Sequence, residues 1–409
     1  MRILFLCSAL EPGRDGVGDY CRLLSGPLAE KGVQCAILAL NDGSISEVYR
    51  GESAGPKPSL IRLPSRFNWP ERLRLASAAI HEFQPDCVSL QFVCYGFHPK
   101  GLIFGLAPRL RQLLAGLPVH IMFHELWIGD STTYGWKDRA VGYFQKRLIL
   151  HTARRLRPVI VHTTTPVYRH LLRAGGIHSE LLPLFGNIPL VQSNEPSWIY
   201  NQLRRHHIDI TPANRDKFIF AGIFGSVHPE LDPNPFLDRL LQVARKTERV
   251  PVLLAVGRIG AAGARLLAGV ASRYGADLPC FGLGEQPPEL ISQFLQTLDF
   301  GIATSPWALI EKSGATAAML DHGLPVAVPR DDWRLRSGTT PQPTPNPLLF
   351  RGDETFFAAF ESGFSPPAPS PRLSEIADRL IRALSFANRS TQPDNFQHPS
   401  QPMVTPRIA

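Results

Sequence analysis

The sequence predicts an α/β protein of two domains, each built on a parallel β-sheet. Short apolar runs alternate with longer segments of helical period along most of the 409 residues, which is the pattern of repeated βαβ units. The pattern occurs twice, on either side of a polar connector. A chain of this length also exceeds what one compact core accommodates, so two domains are expected.

The first series of elements spans residues 1–190. Its apolar N-terminus lacks the h-region and cleavage site of a signal peptide and is typical of a buried strand. Helical periodicity covers residues 70–83 and 138–155. The predicted strands are RILFLC, VQCAILAL, CVSLQF, VHIMF and VIVH.

The second series spans residues 216–388, after a linker at 191–215. Residues 389–409 belong to a segment rich in Pro, Ser, Gln and Asn, and we expect them to be disordered. The carboxyl ends of the two strand sets are expected to border a central cleft, where α/β proteins bind ligands. The predicted strands are KFIFAGIFG, PVLLAVG, LPCFG, DFGIA and LPVAV.

Composition narrows the function classes. Hydrophobic residues make up 44% of the chain, yet no run approaches the roughly 20 apolar residues of a membrane span, so a cytoplasmic protein is expected. The six cysteines form no CxxC pair or Cys/His metal spacing, which predicts reduced thiols and no metal site. The net charge of +8 favours phosphate ligands or the inner face of an anionic membrane, and we expect no nucleic-acid partner. A surface charge that only keeps the protein in solution is the alternative.

A glycine-containing segment, DGVGDYCRLL, follows the first strand. It lacks the third glycine of a dinucleotide fingerprint, and the loop before it is longer than that motif's tight turn, so NAD is not expected. Gly16, Val17 and Gly18 are predicted to expose backbone N–H groups to a sugar or phosphate. The same letters also fit a plain glycine turn with Asp19 as a helix cap.

The segment SPWALIEKSGATAAMLDHGLPVAV, residues 305–328, carries a second candidate site after a strand. Ser313 is expected to cap a helix whose first N–H groups, on Gly314 and Ala315, face an anion. Lys312 stands beside that helix start and adds a full positive charge. The alternative is a solvent-exposed lysine next to an ordinary cap.

Two further strand ends of the second domain carry polar residues. Gly225 and Ser226 follow the strand KFIFAGIFG, and Arg258 follows PVLLAVG. We expect these residues to approach a diphosphate from the opposite wall, although an exposed arginine needs no such partner.

The strand end MFHELW supplies the candidate catalytic residues. His124 is placed to bond a substrate hydroxyl or to transfer a proton, and Glu125 to orient it or to act as a base. A buried, hydrogen-bonded histidine is the alternative.

The two βαβ series, GVGDY, FHELW and KSGATAAMLDHGLPV together resemble the GT-B glycosyltransferases, and within them the retaining glycosyltransferase family 4, over residues 1–390. The resemblance implies two Rossmann-like domains facing each other across a cleft. It also implies metal-independent transfer of a hexose from a nucleotide-diphosphate sugar, without a cofactor, to a lipid-linked or polysaccharide acceptor. By the resemblance, residues 16–18 and His124 lie near the donor sugar. Lys312, Ser313 and Gly314 hold the phosphates, and a donor phosphate oxygen assists deprotonation of the acceptor.

The sequence departs from the family pattern at one motif. The absence of Asp-x-Asp fits a metal-independent enzyme, but the family's glutamate pair before GxPV is replaced. Ala318 stands at the ribose glutamate and Ile310 at its partner, with Glu311 one step away. The arginine and lysine usual after the first strand of the second domain are missing from GIFGSVHPE. A non-catalytic binding subunit of polysaccharide assembly and a nucleotide-sugar epimerase therefore stay open as alternatives.

Overall fold

The structure, a computed structural model, describes residues 1–51, 57–191, 197–364 and 367–391. Within these ranges the strands form two separate sheets, as the sequence predicts. In the first domain the strands are β1 (Arg2–Cys7), β2 (Gln34–Asp42), β3 (Tyr49–Gly51), β4 (Ser59–Pro64), β5 (Cys87–Phe92), β6 (Val119–Phe123), β7 (Ile160–Thr163) and β8 (Glu180–Leu181). Its helices are α1 (Gly16–Glu30), α2 (Trp69–Phe83), α3 (Leu106–Leu113), α4 (Trp136–Leu156) and α5 (Pro166–Ala174).

The first sheet has the order β3-β4-β2-β1-β5-β6-β7-β8 and is parallel except for the β3–β4 pair. Its central strands are buried on both faces because helices cover them, which explains why their sequences are continuous apolar runs. The five strands predicted for this domain are all present. The strands β3, β4 and β8 were not predicted, since β3 and β8 have only three and two residues and Arg62 interrupts the apolar run of β4.

The second domain repeats the arrangement with a smaller sheet of order β11-β10-β9-β12-β13-β14, in which the recorded pairs are parallel. Its strands are β9 (Phe218–Phe224), β10 (Val250–Val256), β11 (Cys280–Gly282), β12 (Phe300–Ile302), β13 (Val326–Val328) and β14 (Leu349–Arg351). The remaining helices are α6 (Ser197–Arg205), α7 (Asn234–Lys246), α8 (Gly260–Tyr274), α9 (Pro288–Thr297), α10 (Gly314–Asp321), α11 (Glu354–Glu361) and α12 (Leu373–Thr391).

The predicted polar connector between the domains is partly helical. Helix α6 lies within it, and the buried side chains of Ile199, Tyr200 and Leu203 belong to the core of the second domain. These apolar residues recur with helical spacing, which the charged neighbours obscure in the sequence. The second domain therefore begins before residue 216.

Helix α12 returns to the first domain, which corrects its assignment to the second. Ile376, Ala377, Leu380 and Leu384 are buried in one cluster with the β1 side chains Ile3 and Phe5 and with residues of α1. Their i, i+1, i+4, i+8 spacing gives one apolar face, and the sequence alone does not show which sheet that face covers. The helix continues to residue 391, and the remainder of the predicted disordered tail lies outside the described residues.

Candidate functional site

A cavity of about 440 Å³ lies between the two domains, at the carboxyl ends of the first sheet. The first domain contributes the segments that follow β1, β5, β6, β7 and β8, and the second contributes the start of α10. The sequence-predicted residues that line it are Gly16, Val17, His124, Glu125, Lys312 and Gly314. This is the crevice position at which open α/β sheets bind ligands.

The glycine segment opens helix α1, and the predicted long loop lies before it, after β1. The helix begins at Gly16, and Asp15 caps it by accepting a hydrogen bond from the Gly18 N–H at 2.6 Å. The predicted cap, Asp19, instead accepts from the Gly13 N–H at 3.1 Å. Both aspartates are close enough in sequence to serve, and the backbone geometry at Asp15, which is extended, decides between them.

The glycines of this helix have different roles. Gly16 faces open space in the cavity, so its backbone is accessible to a ligand. A Cβ atom at Gly18 would lie 3.0 Å from both the Ala9 carbonyl oxygen and the Leu10 Cα atom. Gly18 therefore allows α1 to pack against the loop after β1, and it does not line the cavity.

The start of α10 has the predicted cap and a charged neighbour. The Ser313 hydroxyl oxygen accepts a hydrogen bond from the Thr316 N–H at 3.2 Å, which confirms the cap. Lys312 reaches across the cavity, where its Nζ lies 3.5 Å from a carboxylate oxygen of Glu125. The nearby Tyr168 phenol and the Glu125 carboxylate raise the pKa of Lys312, so its ammonium is charged at neutral pH. A positive charge and a helix N-terminus thus occur together at this wall.

Three predicted diphosphate contacts lie outside the cavity. The Gly225 backbone packs beside Ala315, and the Ser226 carbonyl accepts a hydrogen bond from the Thr304 hydroxyl at 3.0 Å. Arg258 donates to the Gly13 carbonyl in the first domain and pairs with Glu285. The prediction placed these residues correctly at strand ends, but some of their polar atoms form hydrogen bonds within the protein.

His124 is a neutral, hydrogen-bonded histidine. Its Nε2 lies 2.8 Å from the Gln91 side-chain oxygen, and its ring meets Tyr20 edge-on at 4.9 Å between ring centroids. Burial lowers the pKa of His124 to about 4, which favours the uncharged ring at neutral pH. It remains suited to binding a sugar hydroxyl.

Sequence reasoning missed several polar residues around this site. Tyr168 on α5 approaches the Lys312 ammonium. Ser89, His120 and His162 form a buried polar row beside Gln91 in the middle of apolar strands. The alternation of Ser89 and Gln91 in CVSLQF, and the single histidines in VHIMF and VIVH, were a usable signal, because a polar residue on a buried strand needs a partner.

The family's glutamate positions are closed in this structure. Ile310 and Ala318 are fully buried, and a Cβ atom built on Gly186 would lie 2.7 Å from the Ala318 Cα atom. Glu311 does not line the cavity. One of its carboxylate oxygens accepts from the Thr344 N–H at 3.2 Å, and burial raises its pKa. No carboxylate therefore stands at the position of a ribose-binding glutamate.

The family model described as "Glycosyl transferase 4-like domain" matches residues 15–187. No curated protein matches the sequence. Among solved structures, HepE of Anabaena in complex with UDP-glucose is 15% identical with a TM-score of 0.58, over 95% of this chain and 99% of that one.

Two further structures have the same fold. Starch synthase IV of Arabidopsis thaliana, bound to ADP and acarbose, is 12% identical, with a TM-score of 0.53 over 95% of this chain and 99% of that one. The lipopolysaccharide outer core galactosyltransferase WaaB is 13% identical, with a TM-score of 0.53 over 96% of this chain and 100% of that one. Both the predicted fold and the predicted resemblance are confirmed. Residues 15–187 therefore match a glycosyl transferase 4-like domain, and the two-domain fold of the whole chain is similar to that of HepE and WaaB.

Proposed function

We propose that the protein transfers a hexose from a nucleotide-diphosphate sugar to a lipid-linked or polysaccharide acceptor, with retention and without a metal ion. The observation that carries the proposal is the meeting of Lys312 and the α10 start with His124 and Glu125 in one cavity between the domains. One wall offers positive charge for phosphates, and the other offers hydrogen-bonding groups for a sugar.

The phosphate end is supported by charge and backbone geometry. The N–H groups of Gly314 and Ala315 have no hydrogen-bond partner within the described residues, and Gly314 lines the cavity beside the Lys312 ammonium. These groups stabilise a phosphate dianion and the charge that develops when the diphosphate leaves. The solved structure of HepE contains UDP-glucose, which favours a nucleotide sugar as the ligand here.

The test is to incubate the purified protein with UDP, GDP and ADP sugars and to measure released nucleoside diphosphate. Thermal unfolding with each nucleotide identifies the base first, since a ligand of the folded state raises Tm. We expect one nucleotide to raise Tm, its sugar to be turned over in EDTA, and turnover to be lost in His124→Ala. Absence of any Tm shift would refute the donor assignment, and loss of turnover in EDTA would refute metal independence.

A second candidate function is a non-catalytic binding subunit. The closed positions of Ile310 and Ala318 favour it, because the ribose contact of the family is missing. Nucleotide binding without release of nucleoside diphosphate, with any acceptor tried, would identify this function. Release that depends on His124 would exclude it.

We further propose that the protein acts in the cytoplasm, at the inner face of an anionic membrane. Helix α4 has an exposed aromatic stripe, since Trp136, Tyr143 and Phe144 are 73%, 53% and 53% exposed and share one side of the helix by their spacing. Trp136 lies two residues after Tyr134, whose phenol is near Lys312, so the stripe begins beside the cavity. The basic residues of this stretch, against the single acidic Asp138, are Lys137, Arg139, Lys146, Arg147, Arg154, Arg155 and Arg157.

Vesicle sedimentation tests this placement. Aromatic rings beside cations favour the interface of anionic lipids. We expect phosphatidylglycerol vesicles to bind the protein and phosphatidylcholine vesicles to bind it weakly. Replacing Trp136 and Phe144 with serine should lower binding by about tenfold or more, whereas Tyr49→Ser, on strand β3, should not. Equal binding by the stripe variant would refute the placement. No helix among the described residues has the length and apolar character needed to span a bilayer.

A further inference from the structure

A continuous row of hydrogen-bonded side chains runs through the first sheet and ends at His124. The Gln91 amide joins His124 at 2.8 Å and donates to the Ser89 hydroxyl at 2.6 Å. That hydroxyl lies 2.8 Å from His120 Nδ1, and His120 Nε2 lies 3.0 Å from His162 Nδ1. The four inner members, from Gln91 to His162, are at most 3% exposed.

The strand register explains how the row forms. Ser89 on β5 pairs with His120 on β6, and His162 on β7 pairs with Glu180 on β8. Side chains at alternate positions point to one face, so Gln91 and Ser89 lie on the same side of β5. The row therefore crosses from the cavity to Glu180, which is 61% exposed at the outer edge of the sheet.

One assignment of donors and acceptors satisfies every hydrogen bond of the row, with each group donating to the next one toward Glu180. A neutral histidine has one N–H and one acceptor nitrogen. Once one ring nitrogen is known to donate, the other must accept, so the next group in the row must be the donor. His162 Nε2 lies 4.0 Å from the Glu180 carboxylate, which favours a proton on that nitrogen. His162 Nδ1 then accepts from His120 Nε2–H, and His120 Nδ1 accepts from the Ser89 hydroxyl.

The direction continues to the cavity. Ser89 donates its only proton to His120, so its oxygen accepts from the Gln91 NH₂ group, in agreement with the amide orientation of the structure. The Gln91 carbonyl oxygen must then accept from His124 Nε2–H. The second ring nitrogen of His124, Nδ1, has no hydrogen-bond partner in the described part of the chain and is left without a proton.

We propose that Ser89, His120 and His162 are positioning residues that hold His124 in its Nε2–H tautomer. His124 then presents unprotonated Nδ1 and binds its ligand by accepting a hydrogen bond. The inference rests on the proposed function only in naming that ligand as a hydroxyl of the donor sugar. The tautomer itself follows from the row of hydrogen bonds.

The experiment is ¹⁵N NMR of histidine-labelled protein at neutral pH, with the His124 ring assigned from the spectrum of His124→Gln. We expect wild-type His124 to show a protonated Nε2 and an unprotonated Nδ1. In Ser89→Ala the Gln91 amide loses its acceptor and is free to reverse, so His124 should populate both tautomers. Ser25→Ala is the matched control, because Ser25 is also fully buried and its hydroxyl donates to the Cys21 carbonyl in α1.

A kinetic readout accompanies the spectra. We expect Ser89→Ala to lower kcat/KM for the donor about fivefold, the loss of one hydrogen bond in the correct orientation, while Ser25→Ala retains the wild-type value. The inference is overturned if wild-type His124 carries its proton on Nδ1 or on both nitrogens, or if Ser89→Ala leaves its tautomer unchanged. These spectra need no turnover, so they are informative even if the proposed transferase activity is refuted.

Discussion

Replacing Lys312 with methionine tests the phosphate end of the cavity most directly. The change keeps most of the unbranched side chain and removes its ammonium, which lies between the α10 start and Glu125. A hydrogen bond to a charged group contributes about 1.5–3 kcal/mol. Its loss corresponds to roughly a tenfold to 150-fold increase in Kd for the nucleoside diphosphate. The unpaired Glu125 carboxylate beside the phosphates would weaken binding further.

The chain offers a closely matched control. Lys31 does not line the cavity, because it follows the end of α1 opposite the turns that do, and it pairs with Asp378 at 2.9 Å. Its side chain is 29% exposed against 30% for Lys312. Lys31→Met therefore removes an ion-paired lysine of equal exposure without touching the cavity. Lys312→Arg keeps the charge and should retain most of the affinity.

Isothermal titration calorimetry with the nucleoside diphosphate that stabilises the wild-type protein measures the effect. We expect Kd to rise in Lys312→Met and to stay within about twofold of wild type in Lys31→Met. Increasing salt should narrow the difference between Lys312→Met and wild type, because the interaction is partly screened. A Kd of Lys312→Met equal to that of the wild type would refute the phosphate role of the ammonium.

Three further predictions concern packing and pH. Gly18→Ala should lower the free energy of unfolding by about 1–3 kcal/mol, because the added Cβ atom would lie 3.0 Å from backbone atoms. Gly26→Ala, in the same helix, is the control: its Cβ atom would meet open space, so the free energy of unfolding should rise. Urea unfolding measures both changes. Burial lowers the pKa of His162 to about 4, so the unfolded chain takes up a proton below pH 6.5 while the folded chain does not. Lowering the pH from 7 to 5 should therefore reduce the free energy of unfolding by about 2 kcal/mol through this histidine. The reduction should be smaller in His162→Gln, and a variant of the exposed His151 should show the same reduction as the wild type. Ala318→Glu should lower Tm without tightening nucleotide binding, since its site is fully buried; tighter binding would contradict the closed position.

Much of the site's location could be predicted because parallel strands share one functional edge. His124 and Glu125 follow β6, and Lys312 follows β12 through a short helical turn, so each residue was assigned to a strand's carboxyl end from sequence. The Ser313 cap was predictable because capping depends on a few consecutive residues. The choice of Asp15 over Asp19 was not, since it depends on the backbone angles of the loop after β1.

Contacts between distant segments explain what sequence reasoning missed. Arg258 was assigned to a diphosphate, yet it meets the Gly13 carbonyl some 245 positions away in the chain. The hydrogen-bonded row behind His124 likewise joins three strands, so its members look like isolated polar residues in the sequence. Each partner lies outside any local window that a periodicity or motif covers.

The sequence by itself determined the two parallel sheets, the strand ends that bear polar residues and the helix start at Ser313, because these depend on periodicity and on neighbouring residues. Only the tertiary structure decided that α12 covers the first domain, that Gly186 closes the position of Ala318, and that Lys312 faces Glu125. From an apolar face or a charged residue, the sequence shows what kind of partner is needed. Which of several suitable partners it meets is settled by the packing of the whole chain.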